Sequence, residues 1–221
     1  MTAVWMSSLL SANIGYKQGT RGKLFGRDWD LETGLRSPRS PEYIAGLNQY
    51  CRGIALSREQ MPEAAAVWNE KYFKKVGDLF AEGGIYVVRG KLAEILSRFD
   101  LGEGGLVPFP VYKADLETPY PGEFFLLNFG ARKNTLVPEA SPNVVKFAVD
   151  SRTGQQIWKV QEWVEGQVAL SPAALEGPDL WFEEVLENKI FMSDALAQAL
   201  IAAKVDTDWR LTPCTIVEGA R

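Results

Sequence analysis

Ile85-Tyr86-Val87-Val88-Arg89-Gly90-Lys91-Leu92-Ala93-Glu94-Ile95-Leu96, followed by Leu106-Val107-Pro108-Phe109-Pro110-Val111, is the stretch on which the fold turns, because the chain nearly repeats it. The echo is Lys189-Ile190-Phe191-Met192-Ser193-Asp194-Ala195-Leu196-Ala197-Gln198-Ala199-Leu200, followed by Trp209-Arg210-Leu211-Thr212-Pro213-Cys214-Thr215-Ile216. Each copy reads as an apolar strand, a short helix and a second strand ending near a proline. A unit this small cannot bury its own apolar face, so two copies imply one shared core.

Outward from the first copy, Gly102-Glu103-Gly104-Gly105 makes a turn into a strand over 106–112. The run Gly122-Glu123-Phe124-Phe125-Leu126-Leu127-Asn128-Phe129 is almost wholly apolar and suits a central strand covered on both faces. Strands at 144–149 and 155–163 flank Asp150-Ser151-Arg152-Thr153-Gly154, which has hairpin chemistry. A short strand at 168–170 precedes Ser171-Pro172-Ala173-Ala174-Leu175, a capped helical turn with proline in first position. Residues 180–186 lead into the second copy, where Ser193 caps a helix running through Ala203.

Upstream, Ser57 with Gln60 forms a capping box, and Trp68, Tyr72, Val76, Leu79 and Phe80 recur at helical spacing, predicting a helix over 62–81 that ends at Gly83-Gly84. Residues 11–45, rich in Gly, Ser, Pro and Arg, read as an irregular lead-in. The expected architecture is α+β: a single mixed, largely antiparallel sheet with two strand-helix-strand repeats (85–112 and 189–216) and a helical N-terminal portion. All 221 residues form one domain, with 1–60 as a basic lead-in.

The composition, 46% hydrophobic and 24% charged, is that of an ordinary globular chain. It contains no histidine, which excludes Ser/His/Asp and Cys/His nucleophile systems, histidine-ligated zinc and an imidazole proton shuttle. No Lys or Arg precedes Lys17, and no apolar run is long enough to span a bilayer, so a cytoplasmic location without membrane partners is expected. Cys51 and Cys214 share no metal-ligand or redox spacing. The net charge is −4, and it is unevenly spread. Residues 160–188 carry Glu162, Glu165, Glu176, Asp179, Glu183, Glu184 and Glu187 and no basic residue, a surface that attracts a basic partner.

The order of these pieces carries a resemblance. Ile85-Tyr86-Val87-Val88 with Leu92 and Leu96, Phe99-Asp100 before Val107-Pro108, the Phe124-Phe125-Leu126-Leu127-Asn128 strand, Leu180-Trp181-Phe182, and Ile190-Phe191-Met192-Ser193 before Leu211-Thr212-Pro213 follow one another over 85–216. That segment resembles a family of predicted bacterial immunity proteins encoded beside polymorphic toxin genes. The family commonly has serine where strand meets helix, as at Ser193, whereas the first copy has Arg89 and lacks that cap. The resemblance implies inhibition by binding, with a cognate toxin of basic contact surface as partner, and supplies no catalytic residues, cofactor or metal. A self-associating structural or adaptor protein, forming a homo-oligomer, is the second alternative that stays open.

Glu162, Trp163, Glu165, Glu183, Glu184 and Glu187 are the candidate partner-binding residues, since aromatic anchors among charges are the pattern of interface hot spots. The same carboxylates in pairs raise the alternative of a histidine-free enzyme or small-molecule binder, which requires them to converge in a pocket. Adjacent strand residues face opposite ways, which argues against Glu183 and Glu184 sharing a site. Asp28-Trp29-Asp30 and Asp206-Thr207-Asp208 lack the further ligands of a calcium loop. Gly19-Thr20-Arg21-Gly22-Lys23 lacks the spacing and the hydroxyl of a phosphate loop. The basic lead-in from Lys17 to Arg39 has only Phe25 and Trp29 as aromatics, so nucleic acid is not expected as a partner.

Overall fold

Apolar runs of four or five residues broken by glycine and proline make short strands, and the structure consists mainly of them. A computed structural model describes residues 3–9, 18–24, 29, 41–151, 153–162 and 164–219. The chain opens with β1 (Val4–Ser7) and β2 (Thr20–Leu24), passes through helix α1 (Pro41–Tyr50) and returns to strand at β3 (Pro62–Val67). The single turn α2 (Glu70–Phe73) precedes the hairpin of β4 (Leu79–Glu82) and β5 (Ile85–Arg89), then helix α3 (Gly90–Leu96). Strands β6 (Gly105–Pro108), β7 (Val111–Tyr112), β8 (Phe124–Asn128) and β9 (Arg132–Lys133) follow. A second hairpin pairs β10 (Val144–Val149) with β11 (Gln156–Val160). The chain finishes with β12 (Ala169–Leu170), β13 (Leu180–Glu183), β14 (Ile190–Ser193), helix α4 (Asp194–Ala202) and β15 (Leu211–Ile216).

The protein is mostly β, with four separate sheets, which corrects the expectation of a single sheet behind a helical N-terminal portion. The helix expected over 62–81 is the largest local departure: it is β3, the turn α2 and β4. Ala64, Ala65 and Ala66 favour helix intrinsically, but β3 pairs with β2 on one side and β7 on the other, and tertiary pairing overrides propensity. Trp68 and Tyr72, on the expected buried face, are 43% and 41% exposed. The capping box exists, with the Ser57 N–H donating to the Gln60 side chain at 2.9 Å, but it opens only a 3₁₀ turn over Arg58–Gln60. The strand expected at 106–112 is split by Pro108-Phe109-Pro110 into β6 and β7, which join different sheets.

The described chain divides into two compact units, a central one of residues 13–98 and 103–130 and a terminal one of 1–12, 99–102 and 131–221. The central unit holds the antiparallel sheet β4-β5-β8-β6 and the smaller sheet β2-β3-β7. As expected, β8 lies between two partners, and Leu126 and Leu127 are fully buried. The Tyr50 hydroxyl anchors α1 to this sheet, donating to Leu127 O at 2.9 Å and accepting from the Tyr86 N–H at 3.1 Å. Full burial raises the phenol's pKa well above its usual value, so it remains a donor. Asn128 at 5% exposure pairs both ways with the Leu56 backbone, its amide donating at 3.0 Å and its carbonyl accepting at 2.9 Å.

The terminal unit contains the sheet β12-β15-β1-β14-β13-β9 and the β10-β11 hairpin. Its middle strands, β13-β14-β1-β15, reproduce the order β4-β5-β8-β6, so each unit holds one copy of the repeat. The match extends to residues. The Arg89 N–H donates to Asp78 O at 3.0 Å, and the Ser193 N–H to Asp179 O at 2.9 Å. Pro108 pairs with Phe125, and Pro213 with Trp5. The first helix, lacking a serine cap, uses Asp78, whose carboxylate accepts from the Leu92 N–H at 3.4 Å, where Ser193 Oγ accepts from Leu196 at 3.2 Å. Gly90, at φ +53°, leaves room for that aspartate: a Cβ would lie 3.0 Å from Asp78 Oδ1.

Asn128→Ala removes both partners of the buried Leu56 peptide groups. The expected loss is about 2–4 kcal/mol of stability, read as a lower urea midpoint with unchanged slope.

Candidate partner-binding surface

The candidate acids lie in the terminal unit, which carries nine Lys/Arg against fourteen Asp/Glu, a net −5; the central unit carries fifteen against fourteen, a net +1. Glu162 and Glu165 are exposed on the turn that leaves β11. That turn is held by the Gly166 N–H donating to Pro213 O at 3.1 Å and Thr215 Oγ1 donating to Gly166 O at 3.2 Å. Trp163 lies outside the described residues. Glu187 is half-buried and its backbone N–H donates to Trp158 O. Glu184 is half-exposed and pairs with Arg132 at 3.3 Å.

Glu183 is elsewhere altogether. At 2% exposure it accepts from the Thr135 N–H at 2.6 Å, the Thr135 hydroxyl at 2.8 Å and the Leu136 N–H at 3.1 Å. It stitches the chain after β9 to β13, and no partner's surface reaches it. Burial pushes its carboxyl up to about 7, although the three donors pull the other way. Its neighbour Glu184 lies in the turn just beyond β13, half-exposed and paired with Arg132.

Lys133, opposite Glu183 in the β9–β13 register, is the second perturbed group. Its ammonium lies 3.5 Å from the centre of the Trp181 ring and donates to Ala174 O at 3.1 Å and to Glu176 O. Burial lowers it to about 8, against the opposing pull of Asp179 and Glu183. Paired perturbed groups suggest acid-base chemistry, but here each is committed to a main-chain segment, Glu183 to 135–136 and Lys133 to 174–176. The carboxylates that an enzyme would need to converge have separate surroundings: Glu162 and Glu165 face water, whereas Glu183 faces inward. Among the described residues, no group of three or more carboxylate or thiol side chains is placed to hold a metal ion.

The aromatics expected among these acids are interior: Trp181 and Phe182 are 1% and 2% exposed, and Trp181 stacks on Phe191 with ring centres 6.0 Å apart. Among the described residues, the most exposed large apolar groups of this unit stand on the hairpin instead. Phe147 is 51% and Val149 61% exposed, while Val144 and Val160 at the hairpin's base enter the core of the unit. A bulge between Lys146 and Ala148 leaves Phe147 without a cross-strand partner. Lys159 covers that ring from one side at 5.1 Å. On its other edge β11 is held by Trp158, whose N–H donates to Val185 O at 2.7 Å. A signal for this exposure stands in the sequence: Val144-Val145-Lys146-Phe147-Ala148-Val149 puts apolar residues on both faces of a hairpin with nothing to cover the second.

Among the described residues no helix is long and apolar enough to cross a membrane. Neither a protein-family model nor a curated protein matches the chain.

Glu183 allows a clean pH test, because no imidazole titrates in this chain. Its folded-state pKa lies above the unfolded value, so the stability it contributes is full below pH 4.5 and is lost as pH rises to about 7. Glu183→Gln, which keeps the acceptor for Thr135 and Leu136, is expected to flatten thermal stability between pH 5 and 7, removing a decline of at most about 3 kcal/mol. Identical pH profiles for the two proteins refute this role.

Proposed function

We propose that this protein neutralises a basic protein, a cognate toxin in the terms of the resemblance, by non-covalent binding through the β10-β11 hairpin and the acidic turn beside it. The observation that carries this reading is the exposure of Phe147 and Val149, large apolar side chains held out by a hairpin whose base is fixed in the core. Exposed apolar groups rimmed by polar ones mark interaction sites. Glu162 and Glu165 follow β11 directly, and the unit's net −5 steers a basic partner towards the same region. The apolar side chains set the lifetime of the complex, and the acids set its rate of formation.

The test is co-expression with the product of the adjacent gene, scoring host survival and co-purification together. Rescue with a stable complex is expected, and toxicity that this chain neither relieves nor accompanies by a complex overturns the reading. In such a complex, Phe147→Ser with Val149→Ser is expected to raise the dissociation rate about tenfold or more. Glu162→Lys with Glu165→Lys is expected to slow association several-fold at low salt and to leave dissociation nearly unchanged.

A further inference from the structure

The basic lead-in has few aromatics of its own, and the fold adds others beside its cations. Strand β2 runs beside β3, with Arg21 opposite Ala66 and Lys23 opposite Ala64, so both cations stand on one face, about 7 Å apart. The Arg21 guanidinium stacks 4.0 Å from the centre of the Trp68 ring, and Lys23 lies 6.0 Å from that of Trp29. Trp29 in turn meets Tyr112 edge-on, ring centres 6.2 Å apart. The arrangement is braced by backbone bonds: the Trp68 and Asn69 N–H groups both donate to Gly19 O, at 2.7 and 2.8 Å. Gly19 touches Asn69 so closely that a Cβ would lie 2.3 Å from its carbonyl oxygen.

Beyond Trp68 the chain turns through α2, with Asn69 capping the Tyr72 N–H, and exposes Tyr72 with Lys71, Lys74 and Lys75. Glu70 and Glu63 answer two of the cations, pairing with Lys74 at 3.3 Å and Lys23 at 3.4 Å. Segment 68–75 still carries three lysines against one acid, with two ring systems more than 40% exposed.

We propose that this face of the central unit binds single-stranded nucleic acid, with bases stacking on Trp68 and Tyr72 and phosphates meeting Lys71 and Lys75. Both halves of that chemistry are present: flat faces that accept any base, and cations alongside that track a backbone. A membrane surface would be met by an amphipathic helix laying an apolar face into it, whereas α2 is a single turn whose Phe73 is buried in the unit. The proposal does not depend on the toxin-binding reading, which concerns the other unit.

The full chain is titrated into a fluorescein-labelled oligo(dT) of ten nucleotides, followed by anisotropy at low and moderate salt. Micromolar binding that weakens with salt is expected. Trp68→Ala with Tyr72→Ala should weaken it at least tenfold, as should Lys71→Glu with Lys75→Glu, while Phe147→Ser leaves it unchanged. Circular dichroism confirms that each variant is folded. No binding at low salt overturns the proposal. So does binding indifferent to the loss of both rings, or stronger capture by anionic phospholipid vesicles than by the oligonucleotide.

Discussion

A buried strand must satisfy its backbone on both edges, and the central strand of each main sheet is where this constraint decides the architecture. In the central unit β8 meets it from downstream, lying between β5 and β6. In the terminal unit the equivalent slot between β14 and β15 is filled by β1, from the other end of the chain. Without that strand, Ile190–Ser193 and Leu211–Ile216 would face each other across an open gap, and Met6, Phe191 and Trp181 would lose a shared apolar cluster. The same local motif thus reaches the same layout by two routes of chain entry.

The differences between the copies follow from what each position must cap. Ser193 joins strand to helix with its own hydroxyl, and it also donates to Asp179 Oδ1 at 2.6 Å. Arg89 does neither. Its guanidinium lies over Phe73 at 4.9 Å and donates to Val76 O, and the capping passes to Asp78. One carboxylate therefore replaces a hydroxyl for the backbone while the freed position becomes an aromatic contact. Glu183 and Lys133 show the same use of charge inside the terminal unit: each holds main chain in place where apolar residues could not.

The chain's net negative charge lies in the terminal unit, and each unit presents exposed hydrophobic surface of a different kind. The acidic terminal unit presents the hairpin side chains Phe147 and Val149; the central unit presents Trp68 and Tyr72 beside lysines. Aliphatic and phenyl groups on an acidic unit suit a basic protein, and indole and phenol faces beside cations suit a polyanion with planar groups. Two recognition chemistries on separate units are compatible because neither draws on the other's residues.

Much of the local structure was legible in the residues. The repeat, the central apolar strand at Phe124–Asn128, the hairpin around Asp150–Gly154 and the cap at Ser193 all depend on neighbours a few positions away, where periodicity and turn chemistry act directly. The candidate site was legible only in part: Glu162 and Glu165 are surface acids, but Glu183 and the aromatics beside it turn inward, because the position of β13 between β14 and β9 sets which side of each residue meets the core. Residues 62–67 show the limit most plainly. Composition favours helix there, and only the backbone partners on β2 and β7, forty residues away on either side, make it strand. By itself the sequence determined the repeat, the glycine and proline punctuation and the distribution of charge. Which strands share a sheet, and which aromatic rings reach solvent, was decided by long-range hydrogen bonding, which a one-dimensional pattern does not encode.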